Sequence, residues 1–164
     1  MCAEINPALL TGIFALSGVA LSQATTATLS FLDKSHKRKV LLREKYEELS
    51  SCFLASFEMP QKLMIYQGST EAIHPLTHQV YGNKMNMLAL LYFPQLQEII
   101  GHYIESYSSL CLVSFSFYDS NDNRPLGTQI NQNQDYIKVS NEHISARDRL
   151  QDEIQRHSAM YTNV

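Results

Sequence analysis

Between Glu4 and Asp33 the chain carries no charged side chain. No other feature restricts the fold as much. As a helix this run reaches roughly 40 Å at about 1.5 Å per residue, against about 30 Å of bilayer hydrocarbon. In "ALLTGIFALSGVALSQATTATLSFLDKSHKRK", Ala8 to Lys39, it ends abruptly in cations. The run is longer than the apolar core of a secretory leader, about 7–15 residues, and "MCAEINP" ahead of it has an acid and no Lys or Arg. The expectation is one membrane span, retained rather than cleaved.

The flanks set an orientation. One acid precedes the run, and Lys34, Lys37, Arg38, Lys39 and Arg43 follow it. Basic flanks stay on the cytoplasmic side, so the N-terminus is expected outside and the remainder inside. Ser22, Gln23, Thr25, Thr26 and Thr28 weaken the second half of the run. Hydroxyls in a helix reduce that cost by bonding back to the carbonyl four residues earlier. The competing expectation is a buried helix in a soluble bundle. Gly18 and Ser22 stand four apart, as do Ala20, Ala24 and Thr28; small rows at that spacing let helices approach, and Gln23 can bond across a pair. A homo-oligomer held by these residues is therefore expected if the run spans.

The formal net charge is −3, which gives the whole chain no attraction for nucleic acid. Six of the 13 basic residues lie between Lys34 and Lys45, so the rest is acidic. "KSHKRK" has Tyr46 as its nearby aromatic and glutamates directly after it. Placed behind an uncharged run, it suits an anionic bilayer surface better than nucleic acid. Cys2, Cys52 and Cys111 are too few and too scattered for a disulfide framework. Cys52 and Cys111 fall in apolar helical patterns and are expected as small core residues.

Past the cations, Leu42, Tyr46, Leu49, Phe53 and Phe57 recur at helical spacing. There is no Gly or Pro from Val19 to Met59, so one rod is expected to run on to about Pro60. A short helix before Gly68, a break at His74 and a helix from Pro75 through "NMLALLYF" follow from the turn residues. Pro94 either kinks that helix or starts a new one. Leu96, Ile99, Ile100, Tyr103, Ile104, Tyr107, Leu110 and Cys111 form a wide stripe that continues as helix through "LVSFSFY". "DSNDNRPLG" is a loop. A last helix from about Gln129 to Met160 is expected to face inward with Ile130, Ile137, Ile144, Leu150, Ile154 and Tyr161, starting poorly packed around "TQINQNQDY". The fold class is all-α: residues 1–33 as tail and transmembrane helix, and 34–164 as a cytoplasmic antiparallel bundle of three to four helices.

Chemistry is scarce. His74 and His78 are four apart but flank Pro75, with no third ligand in evidence. Glu98, His102 and Glu105 share a helical face, but Glu98 and His102 are four apart instead of the three of a di-iron Glu-x-x-His and no second copy exists, so they are expected as a local ion pair. There is no GxSxG and no phosphate-binding glycine loop. No catalytic residue, cofactor or metal is assigned. Nine tyrosines, clustered mid-chain, suit either a core with wet tips or a partner surface.

The succession of an uncharged run, "DKSHKRKVLLREKYEELSSCFLASF", "LLYFPQLQEIIGHYIESY" and a terminal helix resembles a loose group of small bacterial membrane-anchored proteins of unknown function. The resemblance implies an inner-membrane location and a helical fold, and brings no activity. The polar "SQATTATLS" departs from the group. Three functions stay open: a membrane-anchored interaction or scaffold protein with an unidentified protein partner, an oligomerising effector that permeabilises the bilayer, and a soluble helical bundle.

Overall fold

A computed structural model describes residues 7–69 and 79–162, with side chains from Val19 onward except those of Ala20, Ala24 and Thr162. The described residues are helical with no strand. The helices are α1 (Pro7–Ser56), α2 (Glu58–Met64), α3 (Val80–Tyr92), α4 (Gln97–Ser116), α5 (Leu126–Ile130) and α6 (Gln134–Thr162), with a 3-10 turn at Pro94–Leu96 before α4. The chain divides into two compact units, Met1–Leu41 and Leu42–Val164.

In the first unit every described side chain from Val19 to Lys39 is exposed. Ala, Leu, Lys and Arg alternate along it with weaker helix formers such as Ser22, Thr25, Thr26 and Thr28, and the i, i+4 pair Lys37–Asp33 at 2.7 Å braces it. The Thr25 and Thr26 hydroxyls donate to the Leu21 and Ser22 carbonyls at 2.8 and 2.9 Å. Among the described residues no helix is long and apolar enough to cross a membrane. The most apolar part of the uncharged run, residues 8–18, lies outside the described side chains.

The second unit is an up-down-up-down bundle of Leu42–Ser56, α3, α4 and α6. The contacts give the directions. Gln79 at the head of α3 donates to the Ile104 carbonyl of α4, while Phe93 at its tail leads straight into the Pro94 turn. Gln95 reaches Tyr161 at 2.6 Å, and Ser106 reaches His143 at 3.0 Å, so α6 descends as α4 rises. Tyr46 donates to the Ile154 carbonyl, and Arg147 stacks over Phe57 at 5.6 Å, which sets α6 antiparallel to the end of α1 as well. Gly82 is small for a reason: a Cβ there would stand 3.1 Å from the Ile104 side chain, so its absence lets α3 close on α4.

Two apolar clusters hold the unit. Tyr46, Leu49, Phe53, Met85, Phe93 and Leu96 lead the larger, which also takes in Ile100, Leu150 and Ile154 among others. Phe93 meets both Tyr46 and Tyr161 edge-on at 5.2 and 4.9 Å, within the favourable range for aromatic pairs. The smaller cluster joins Leu63 of α2, Tyr107, Leu110 and Cys111 of α4, and Leu126 and Ile130 of α5. Glu48 ties α1 to α3 through Lys84 at 2.8 Å and also accepts from Lys45, and these two ammonium groups pull its carboxyl down to about 2.

Several boundaries differ from the sequence expectation. The rod stops at Ser56, not Pro60. A proline ring collides with the carbonyl four residues earlier, which here is that of Ser56, and Pro60 itself is tolerated in the first turn of α2. At Pro94 the second of the two expected outcomes holds, and the proline starts a new element. The expected last helix is two: α5 and α6, parted at 131–133, where the Asn133 side chain accepts from the Tyr136 amide at 3.0 Å and caps α6. In "TQINQNQDY" Ile130 is wholly buried, while Thr128, Asn131, Gln132, Gln134 and Asp135 are exposed, so the stretch is loosely packed as expected apart from that one anchor. Ile137 and Ile144 lie outside the core at 37% and 42% exposure, and His143 occupies the inward slot instead. The expected helix start at Pro75 and the pair His74 and His78 fall outside the described residues.

Candidate functional site

The five cations expected at a membrane surface are all exposed on α1. They are not equivalent. Lys37 is paired with Asp33 and Arg43 with Glu47, at 2.7 and 2.9 Å. Lys34, Arg38 and Lys39 form no ion pair among the described residues and are the ones free to meet an external anion. Of the six residues expected at a helix–helix contact, Ser22, Gln23 and Thr28 are exposed, while the side chains of Gly18, Ala20 and Ala24 lie outside the described residues.

In the second unit the outer faces of α4 and α6 leave an open groove of about 1010 Å³. Half-buried Ile99, Ser106, Ser109 and Ala146 make its floor. Exposed Glu98, Glu105 and Glu142 stand on its rim, with His102 and Arg149 as counter-charges. Glu98 and His102 are 4.0 Å apart on the surface, a loose local pair as the sequence suggested. Glu105 and Glu142 form no ion pair among the described residues, whereas Glu153 at one end is taken by Arg156 at 2.7 Å and His157 at 3.5 Å. Sequence reading found one rim, since Glu98 and Glu105 are seven apart on a helix. It missed the facing rim on α6, because the apolar stripe used to orient that helix gave Ile144 the slot of His143.

Below the floor lies a contact the sequence did not flag. Ser106 and the buried His143 are 3.0 Å apart, with the imidazole stacked on Tyr103 at 5.2 Å between centroids. A serine beside a histidine at the base of a groove has the outline of a nucleophile and its base. The hydrogen bonding runs the other way. Ser106 gives its proton to the Tyr103 carbonyl at 2.7 Å, so His143 Nδ1 must donate to the serine oxygen. Burial and the nearby Arg147 push the imidazole down to about 4, which makes it a weak base. Mid-helix amides are already bonded and supply no oxyanion donors. The pair serves instead to satisfy a buried imidazole.

Ser56 joins the same layer, accepting or donating at 2.7 Å with the Tyr103 hydroxyl. Cys52 and Cys111 are buried and free, as expected, and burial raises the Cys111 thiol to about 11, far from a reactive thiolate. No group of metal-ligating side chains converges among the described residues. No protein family, no curated protein and no solved structure matches the chain.

Proposed function

We propose that the chain is a membrane-anchored helical scaffold, its N-terminal helix held at the bilayer and its bundle offered to a protein partner on the cytoplasmic side. One observation carries the reading. Val19, Leu21, Leu29, Phe31 and Leu32 are all more than half exposed, on a helix segment with no buried described side chain. Apolar surface of that extent on a lone helix calls for lipid or another protein. The uncharged residues ahead of it and the cations behind it fit lipid, with Lys34, Arg38 and Lys39 meeting anionic headgroups.

The back-bonded hydroxyls of Thr25 and Thr26 support an anchor over a pore. Their protons are already used inside the helix, so they cost less in hydrocarbon and offer less to a water path. The bacterial inner membrane is the location that the sequence resemblance suggests.

A second reading has its own support. The want of a sufficiently apolar helix among the described residues favours α1 docking on a protein, as part of a soluble assembly. Fractionation of a C-terminally tagged chain separates the two. Retention in carbonate-washed membranes, with the tag protected from protease in spheroplasts, is the expected result. Release into the soluble fraction without detergent overturns the anchor and leaves the docked helix.

A further inference from the structure

We infer that the α4–α6 groove is a docking site for the cationic stretch of α1 from a second copy of this chain. The inference stands apart from the bilayer reading, because it concerns charges and shapes present with or without lipid. Two unsatisfied surfaces complement each other. On α1, Phe31, Lys34, Ser35, Arg38 and Lys39 follow the spacing i, i+3, i+4, i+7, i+8, so they share one face. Phe31 is 72% exposed on that face, and the three cations have no acidic partner among the described residues.

The groove presents the converse. Glu98 and Glu105 on α4 and Glu142 on α6 rim it, against His102, 4.0 Å from Glu98, and Arg149 as the basic residues of the lining. Its floor carries Ser106, Ser109 and Ala146, small enough for a third helix to lie close, and Ile99, an apolar seat suited to a ring such as that of Phe31. The stretch also fits within the groove: Phe31 to Lys39 covers roughly 12 Å, and from Gln95 to Ser109 the groove runs roughly 20 Å. Two unpaired carboxylates, Glu105 and Glu142, and the loosely paired Glu98 thus complement three unpaired ammonium and guanidinium groups, an arrangement that gives register and orientation. These cations are also the ones assigned to anionic lipid, so lipid and groove compete for them.

The test is a charge exchange on the full chain, in neutral detergent if it needs one, read by sedimentation at low salt. One variant carries Glu98→Lys, Glu105→Lys and Glu142→Lys; the other carries Lys34→Glu, Arg38→Glu and Lys39→Glu. All six side chains are exposed, so both variants should keep their helical circular dichroism. The native chain should self-associate, and each variant alone should do so about tenfold more weakly or worse. Mixed, the two should associate again, because each then meets an opposite charge. Three results overturn the proposal: a native chain monomeric at every concentration, variants that associate like the native chain, as contact through the small residues of the uncharged run would give, or a mixture no tighter than its components.

Discussion

The two ends of α1 obey the same backbone rules and live in different surroundings. From Val19 to Lys39 every described side chain faces solvent, while Tyr46, Leu49, Cys52, Phe53 and Ser56 are buried. The first stretch has the Lys37–Asp33 pair and its own backbone ladder as local supports. In the second, tertiary packing supplies the stability, as is usual for helices in proteins. The difference teaches that helicity alone says nothing about where the fold is anchored. A charged residue decides no more: Lys45 and Glu48 sit in the packed end as readily as Lys37 and Asp33 in the open one.

Leu49→Ala strikes the packed end where it is wholly buried, and about 2–5 kcal/mol of unfolding free energy should be lost in urea titrations followed by circular dichroism. Leu32→Ala, at 57% exposure, should stay within about 0.5 kcal/mol in the same experiment. Equal costs at the two sites would abolish the contrast.

Acid sharpens it next. His143 holds a pKa of about 4 when folded against 6.5 ordinarily, so the unfolded chain binds its proton first. Stability is therefore complete above pH 6.5 and falls by about 1.4 kcal/mol per pH unit toward pH 4. Urea midpoints measured across that window should show the slope, and His143→Phe should flatten it. Glu48 acts lower: with its carboxyl held at about 2, what it contributes is present above its ordinary 4.5 and goes as pH falls toward 2.

The smaller effects belong to single hydrogen bonds and pairs. Ser56→Ala removes the partner of the Tyr103 hydroxyl and should cost about 1 kcal/mol, read as a shift in urea midpoint. Lys37→Ala removes an exposed pair on the open stretch and should leave the midpoint where it was.

Much of the architecture was legible in the residues. Of the expected stripe, Ile100, Tyr103, Tyr107, Leu110 and Cys111 are buried on α4 and Leu96 in the turn before it, while Ile99 and Ile104 are half-buried. Apolar side chains at helical spacing have few other places to go. Proline position was legible in kind but not in register, because its collision acts four residues upstream. The inward face of α6 was hidden for a different reason. Polar His143 is buried at 5% exposure because Ser106 and the tyrosine faces accommodate it, and no apolar pattern encodes that. The groove suffered the same fate, since it depends on which side of α6 faces out. Leu126 and Ile130 pack without exposure on a helix too short for periodicity to reveal it.

The hydrogen bond from Tyr46 to the Ile154 carbonyl joins residues 108 positions apart. On the ribosome, at about 5–20 residues per second, that gap is on the order of ten seconds of synthesis. Throughout it the apolar face of Leu42–Ser56 has no α6 to close on. The nascent chain must travel that interval with its first core helix covered by α3 and α4 at most, and whatever receives the N-terminal helix in that time meets the protein before the bundle is complete.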